Sequence, residues 1–549
     1  MKYRFIIYQE LSVGLCLAGM LLFFSVSAWA ARANGEWHTY LQPDGKELTV
    51  SLRGDEWFSY YITPDGITLY EDESGFLVPV NPDSLSVQCS RQMEKARRHL
   101  PSKRTNWDPN RIYRQAVILI EFNDFNFSMK NPQVRYDSIF NRSGYNEGKG
   151  LGCVADYFRD QSGGRFNLQF DIYGPITVDE KANKGKKNTG ASTLMAATQK
   201  LIDSLNVDFA PYDWDNDGAV EQVVYVYAGP GGNQITGYLW PNTASFNTVN
   251  SGDGKRISNY SASAEKWNET SSKLCGIGTI CHEFTHCLGL PDLYPSKDTN
   301  NSSFSVVDEW DLMDGGNFTN QGWCPCNYTA HEKMQLGWYQ PLELTEATTI
   351  TGMKPLNEGG DAYIIKKTND EFYMLENRQW TGWDILLPSH GLLIAHVDYS
   401  SSIWSSNSVN NYSNHLRYYY IPADGHNYDD WKAKIGGNNP YVLGHNQHLS
   451  GTPYPFEDGD TVYNALTDTS TPPAMTYAQP GKMSKPITNI MEVNGTIAFD
   501  FMGGDPLAGI ATYIRRPDME QPLQSIPLDA RHRLYFVRDA EGHYHKIIR

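Results

Sequence analysis

GTICHEFTHCLGLPDLY, residues 278–294, is the stretch on which the reading of this 549-residue chain turns. Ile277, Ile280, Cys281, Phe284, Cys287 and Leu288 recur at helical spacing and predict a helix with one apolar stripe. His282 and His286, four residues apart, then rise one turn from each other on a common face. Two imidazoles so placed can hold one ion. Zinc favours nitrogen, sulfur and carboxylate donors, and a catalytic zinc site takes three protein ligands and leaves a fourth position open. Glu283, beside the first histidine, can serve as the base for an activated water. Gly289 can adopt a positive φ and end the helix, so that a residue a few positions on turns back to the same ion. Asp292 is the candidate third ligand, and its alternative is a residue that caps or braces the turn. H-E-x-x-H alone arises by chance on polar outer faces of helices, whereas H-E-x-x-H-x-x-G-x-x-D on an apolar helix closed by glycine is far more specific. Tyr294 is a candidate for stabilising an oxyanion.

The surroundings fit an exported, multidomain protein. The chain is too long for one ordinary core, and with 40% hydrophobic, 13% aromatic and 20% charged residues it can bury a sizeable one. A formal charge of -17 argues against nucleic acid as a partner, which would need clustered cationic side chains. Lys2 and Arg4 precede an uncharged run from Leu11 to Ala31 that closes in Ala28-Trp29-Ala30, a small-x-small pattern that predicts a signal peptide over 1–30 cleaved after Ala30. An uncleaved membrane anchor is the alternative; after cleavage no stable membrane insertion is expected. Seven cysteines then remain, an odd number that leaves at least one unpaired within the chain.

Residues 31–90 alternate apolar and polar positions between Pro43-Asp44-Gly45, Pro64-Asp65-Gly66 and Ser74-Gly75, which predicts hairpins in a small antiparallel β unit. Residues 91–112 form a basic stretch containing Arg91, Lys95, Arg97, Arg98, Lys103 and Arg104, read as a solvated helix and linker or as an activation site. Over 113–338, buried strands such as QAVILIEF (115–122) and AVEQVVYVYAG (219–229) alternate with helices such as TLMAATQKLIDSL (193–205), the pattern of an α/β or α+β catalytic domain. Residues 339–504 lose helical periodicity and predict an all-β, sandwich-like region. A tail over 505–549 ends in two alternating runs around Glu541-Gly542 that predict a hairpin.

EWDLMDGG (309–316) sets Met313 in a tight, glycine-bounded turn; an ordinary core methionine is the alternative. Together, HEFTHCLGLPDLY and EWDLMDGG resemble the immune inhibitor A family of secreted bacterial metallopeptidases, and segments such as DYFRDQSGGRFNLQF, DWDNDGAVEQVVYVYAG, LENRQWTGWD and GLLIAHVDY follow in that family's order. The resemblance covers most of Trp37 to Gly503. It implies a metzincin-like fold in which Asp292 takes the place of a last histidine and Met313 supports the zinc site. It also implies zinc-dependent cleavage of protein or peptide substrates by His282, Glu283, His286 and Asp292, and a propeptide in the N-terminal β unit. The tail is similar to short C-terminal segments of some Bacteroidetes exported proteins.

Other constellations have plainer readings. Asp213, Asp215 and Asp217, with Glu221, read either as a short calcium loop or as a turn of solvated aspartates; Val224 at the twelfth position excludes an EF-hand. Cys89 or a carboxylate of the β unit could occupy the open zinc position and keep the enzyme latent. Cys324 and Cys326 read as disulfide partners of other cysteines or as buried thiols, and Cys281 and Cys287 as small hydrophobes. His396 with Asp398, and Glu376 with Arg378, read as structural networks. The expectation is a latent, exported zinc endopeptidase; the alternative is a secreted protein- or glycan-binding protein with a structural or relic zinc site.

Overall fold

The computed structural model of the chain describes residues 28–29, 31–55, 59–81, 100–101, 103–184, 190–268, 273–295, 306–412, 414–435, 440–504, 534–538 and 544–548. The expected signal peptide other than Ala28–Trp29, Cys89 and residues 91–99 of the basic stretch lie outside them. Ala28–Trp29 forms β1. The alternating segment that follows folds into β2 (Trp37–Leu41), β3 (Glu47–Gly54), β4 (Ser59–Ile62), β5 (Thr68–Glu71) and β6 (Leu77–Pro79), an antiparallel meander in sequence order. Its turns fall at the Pro-Asp-Gly and Ser-Gly positions, where Gly45, Gly66 and Gly75 donate to Gln42, Thr63 and Asp72. Val50, Leu52, Tyr61, Leu69 and Leu77 form its core and pack on Trp240 of the next domain.

Next come β7 (Ile112–Phe122), β8 (Asn167–Val178), β9 (Val223–Pro230), β10 (Asn242–Asn250) and β11 (Arg256–Lys266). They make a six-stranded sheet with β1, in the order β1-β10-β11-β9-β7-β8. Strands β8, β7, β9 and β11 run parallel, while β10 and β1 continue the sheet antiparallel. β7 is apolar throughout because both faces are covered: Val117 and Leu119 face one core, Ala116, Ile118 and Ile120 the other. Helices Pro132–Asn141, Val154–Gln161 and Gly278–Cys287 contribute to the first core, and helix Ala191–Leu205 to the second.

The C-terminal region contains β12 (Leu342–Glu343), β13 (Thr348–Met353), β14 (Tyr363–Lys366), β15 (Glu371–Arg378), β16 (Gly391–Asp398), β17 (Tyr418–Tyr420), β18 (Phe456–Asp458), β19 (Thr461–Tyr463), β20 (Ile487–Val493) and β21 (Thr496–Phe501). One face of the sheet β12-β14-β15-β16-β17 joins the first core through Ile364, Phe372, Met374, Leu393 and Ala395. Its other face meets the sheet β13-β21-β20 through Ile365, Leu375, Ile394, Ile497 and Phe499. The layers are those of a sandwich, but the region is not all β. Helices Tyr428–Ile435 and Pro440–Ser450 interrupt it, the second opening on a proline whose fixed φ suits a first helical turn.

The basic stretch also departs from the solvated-linker expectation once it enters the described residues. Leu100 is buried and donates to Ser405 at 2.7 Å, and Arg104 pairs with Glu221 at 2.7 Å and Asp215 at 3.2 Å. Arg104 is thereby drawn onto the acidic loop around Asp215 and Glu221. At the far end, β22 (Leu534–Arg538) and β23 (Tyr544–Ile548) pair antiparallel as the predicted hairpin.

Candidate active site

Every residue from Gly278 to His286 is buried, so the helix carrying the two histidines is no amphipathic surface element with a polar outer face. Its apolar stripe lies in the aromatic core, with Phe284 4.8 Å from Phe158, 6.2 Å from Phe166 and 6.1 Å from Phe170 between ring centroids. At Gly289, φ of +95° turns the chain, and a side chain there would collide with the backbone of Pro101 and Lys103. The turn brings Leu290 back beneath His286, whose Nδ1 lies 2.8 Å from the Leu290 carbonyl oxygen. His282 Nδ1 lies 2.8 Å from the carbonyl oxygen of Leu312, in the turn that also contains Met313. A carbonyl accepts only, so both Nδ1 atoms carry the proton and both Nε2 atoms present lone pairs.

Those lone pairs face one carboxylate. Asp292 Oδ1 lies 3.2 Å from His282 Nε2 and 3.2 Å from His286 Nε2, with all three side chains 3% exposed or less. Neither His282 Nε2 nor Asp292 Oδ1 has a hydrogen-bond partner, and three converging ligand atoms in a buried site can hold one cation between them. Two imidazoles and one carboxylate in a closed cluster fit zinc. Asp292 is held ionised: burial alone would raise its pKa, but the imidazoles of His286 and His282 bring it well below the usual carboxylate range. His286 is the mirror case, since burial opposes its charged form and the Asp292 carboxylate outweighs it.

Glu283 lies within electrostatic reach of His282, His286 and Asp292. Thr243 Oγ1 on β10 lies 2.6 Å from the Glu283 carbonyl oxygen and 2.9 Å from its Oε2, one hydroxyl proton serving the two acceptors, and the backbone N–H of Ala31 donates to Oε1 at 2.6 Å. Burial pushes the carboxyl up to about 7, against the pull of His282, His286 and the Ala31 N–H. A carboxylate poised near neutrality is suited to taking up and releasing a proton.

Met313 is fully buried, next to the carbonyl that orients His282, and its own carbonyl accepts from Leu293 at 2.9 Å. Asp311 Oδ1 accepts from the Met313 N–H at 2.8 Å and closes the turn. Residues 105–339, which contain all of these groups, match the model of the family "Immune inhibitor A peptidase M6, catalytic domain". Over these residues the chain is similar to the peptidase M6 catalytic domain of the immune inhibitor A family, called the M6 domain below. The chain is 23% identical over 265 residues to "Immune inhibitor A" of Bacillus thuringiensis subsp. alesti, a match that spans 40% of this chain and 38% of that protein. Over 247 residues it is 20% identical to "Pre-pro-metalloprotease PrtV" of Vibrio cholerae serotype O1, spanning 39% of this chain and 26% of that one.

Around the M6 domain, the remaining expected residues fall in separate places. Tyr294 is buried two residues beyond Asp292. Asp213, Asp215 and Asp217 come together, but Lys255 pairs with Asp213 at 2.8 Å, and Arg104 holds Asp215 and Glu221. The described cysteines, Cys153, Cys275, Cys281, Cys287, Cys324 and Cys326, are free thiols, and burial raises the pKa of each. Glu376 and Asp384 flank Arg378 in one buried network, and His396 lies 2.8 Å from Glu371 in another. Three contributors carry no local motif: Thr243, Ala31 and Asn407. The last lies 115 residues from Asp292 in sequence, in the C-terminal region, and donates to its Oδ2 at 2.6 Å. No helix among the described residues is long and apolar enough to cross a membrane.

Proposed function

We propose that this protein is an exported, zinc-dependent endopeptidase made as a latent precursor. The observation that carries the reading is the Ala31 N–H on Glu283 Oε1 at 2.6 Å, beside the buried His282, His286 and Asp292 cluster. His282, His286 and Asp292 would hold zinc, which supplies Lewis acidity toward a water and the substrate carbonyl. Glu283 takes the proton of that water and passes it to the leaving nitrogen, and Thr243 fixes the carboxylate for both transfers. The Leu312 and Leu290 carbonyls hold the imidazoles in the tautomer that directs Nε2 inward. Met313 supports the floor, and we assign the oxyanion donor to Tyr294.

Latency follows from the same contact. Signal cleavage after Ala30 makes the Ala31 nitrogen the N-terminal amine of the exported precursor; this nitrogen sits where a leaving nitrogen would be, and Arg32 and the Ala31 carbonyl hold the residues that follow it against the domain. We assign the blocking group to this nitrogen; Cys89, the other candidate named from sequence, lies outside the described residues, and one matched relative is itself named a pre-pro-metalloprotease. Asp213, Asp215 and Asp217, with Glu221, stay the candidate calcium loop, with Lys255 on Asp213 and Arg104 on Asp215 and Glu221 competing for the same oxygens.

The test is zinc content and cleavage of an unfolded protein such as casein by the full chain after limited proteolysis, beside Glu283→Ala. The expected result is one equivalent of zinc in both and cleavage by the wild type alone. Zinc in both with no cleavage by either, once release of the N-terminal segment has been verified, would overturn the enzyme in favour of a binding protein.

A further inference from the structure

The segment in the cleft is oriented like a substrate, and this allows its side chains to be numbered from the reacting bond. Glu283 delivers its proton to the nitrogen of the departing half, so the backbone nitrogen it contacts marks the bond that a substrate would present. By that criterion Ala31 is the first residue on the leaving side and Arg32 the second. In the chain before signal cleavage, Ala28 and Trp29 pair antiparallel with Ala244 and Thr243 on β10. The Ala31 carbonyl accepts from the indole N–H of Trp240 at 2.7 Å, which keeps the chain extended past the site.

Arg32 does not run out to solvent. Its Nη2 meets Asp308 Oδ1 at 2.5 Å and its Nε lies 3.5 Å from Asp314 Oδ1, with those carboxylates 3% and 0% exposed. Asp314 Oδ1 is buried with no hydrogen-bond partner, while its Oδ2 accepts from the backbone N–H of Asp308 at 2.9 Å, so one oxygen is anchored and the other is aimed at the guanidinium. Gly315 completes the pocket: a Cβ there would lie 2.3 Å from Arg32 Nη2 and 2.5 Å from Asp308 Oδ1. These acids belong to the M6 domain, on the turn that supports the zinc site, so they stay when the N-terminal segment leaves. His445 Nδ1 also lies 3.3 Å from Asp308 Oδ2, while Arg32 is the cation set against both buried carboxylates.

We infer that Asp308, Asp314 and Gly315 form a specificity pocket that selects a basic residue, arginine above lysine, two positions after the cleaved bond of a protein substrate. The inference rests on the endopeptidase reading above. Arginine is favoured because its planar fork can engage two carboxylates at once, whereas a lysine ammonium is a single point of charge. The N-terminal segment uses the same pocket to hold itself in place.

The test uses the full chain, activated by limited proteolysis with the activating protease then inhibited. Quenched fluorescent peptides would differ only in the second residue after the cut bond, as Arg, Lys, Gln, Leu or Glu, with the cut located by mass spectrometry. The expected kcat/KM for Arg exceeds that for Gln by about ten- to a hundredfold, with Lys between and Glu last. In Asp308→Asn the Arg-to-Gln ratio falls toward one. Asparagine suits this position because Asp308 has a φ of +47°. Gly315→Ala lowers the ratio by filling the space. Binding of the peptide Ala31–Trp37 to Glu283→Ala, compared with the same peptide carrying Gln for Arg32, gives a readout independent of turnover, with roughly tenfold weaker binding expected for the Gln form. Equal rates across the series, or preference for Leu, would overturn the pocket and leave the peptidase intact. Failure to cut any peptide, matched by Glu283→Ala, would instead overturn the endopeptidase reading.

Discussion

Asn407 and Asp292 hold each other by a pair of hydrogen bonds: the Asn407 amide donates to Asp292 Oδ2 at 2.6 Å, and its carbonyl oxygen accepts from the Asp292 backbone N–H at 2.6 Å. The C-terminal region thereby fixes the carboxylate that faces both imidazoles. Asn407 has a φ of +50°, so Asn407→Gly removes the amide without straining the backbone. Loss of such a partner typically weakens metal binding about 10- to 100-fold. Competition with a chromophoric chelator measures it. An unchanged zinc affinity would mean that Asp292 is not a ligand or is oriented by other groups.

Thr243 should separate catalysis from metal binding. Thr243→Val keeps the shape of β10 and removes the hydroxyl that contacts Glu283 Oε2. Zinc content should stay at the wild-type level while kcat falls roughly tenfold or more, with a smaller effect on KM. Thr243→Ser restores the donor and should recover most of the rate. A parallel loss of zinc would show instead that the strand has moved.

Latency should depend on Arg32. Its guanidinium spans the buried Asp308 and Asp314, so Arg32→Gln removes the ion pairs that anchor the segment blocking Glu283. The unprocessed variant is expected to cleave casein measurably where the unprocessed wild type is silent. Should both precursors be equally silent, the anchor lies in the meander β2–β6 and its packing on Trp240.

His331 should set part of the acid limit of stability. Burial, and secondarily the charge of Lys103, depress its pKa from 6.5 to about 3. Below pH 6.5 the unfolded chain takes up a proton that the folded chain refuses until about pH 3, so stability is lost as pH falls through that window. Two units below 6.5 the loss is about 3 kcal/mol. His331→Phe should therefore lose less stability than wild type between pH 7 and 4.5 in denaturant titrations. Identical slopes would place the acid sensitivity elsewhere.

Phe284 ties the histidine helix to the sheet. It is fully buried among Phe158, Phe166 and Phe170, and Phe284→Ala should cost about 3–5 kcal/mol. Zinc affinity should fall with it, because the same helix aims both imidazoles. Equal stability of variant and parent by chemical denaturation would show that the core collapses around the gap.

By itself the sequence specified what is local. Helical spacing from Ile277 to Leu288, the glycine at 289 and the Met313 turn are written in neighbouring residues, because a helix, its stop and a tight turn depend on short-range sterics and periodicity. The turns of the N-terminal meander and the doubly buried β7 are legible for the same reason. The helices at Tyr428–Ile435 and Pro440–Ser450 were not, since their apolar spacing is weak among strands and turn residues. What tertiary structure alone decided is long-range: Ala31 meets Glu283 across 252 positions, Arg32 meets Asp308 across 276, and Asn407 meets Asp292 across 115. Each of these pairs a polar group with a partner only because packing takes both out of water, and the cost of leaving either unpaired there holds the contact in place.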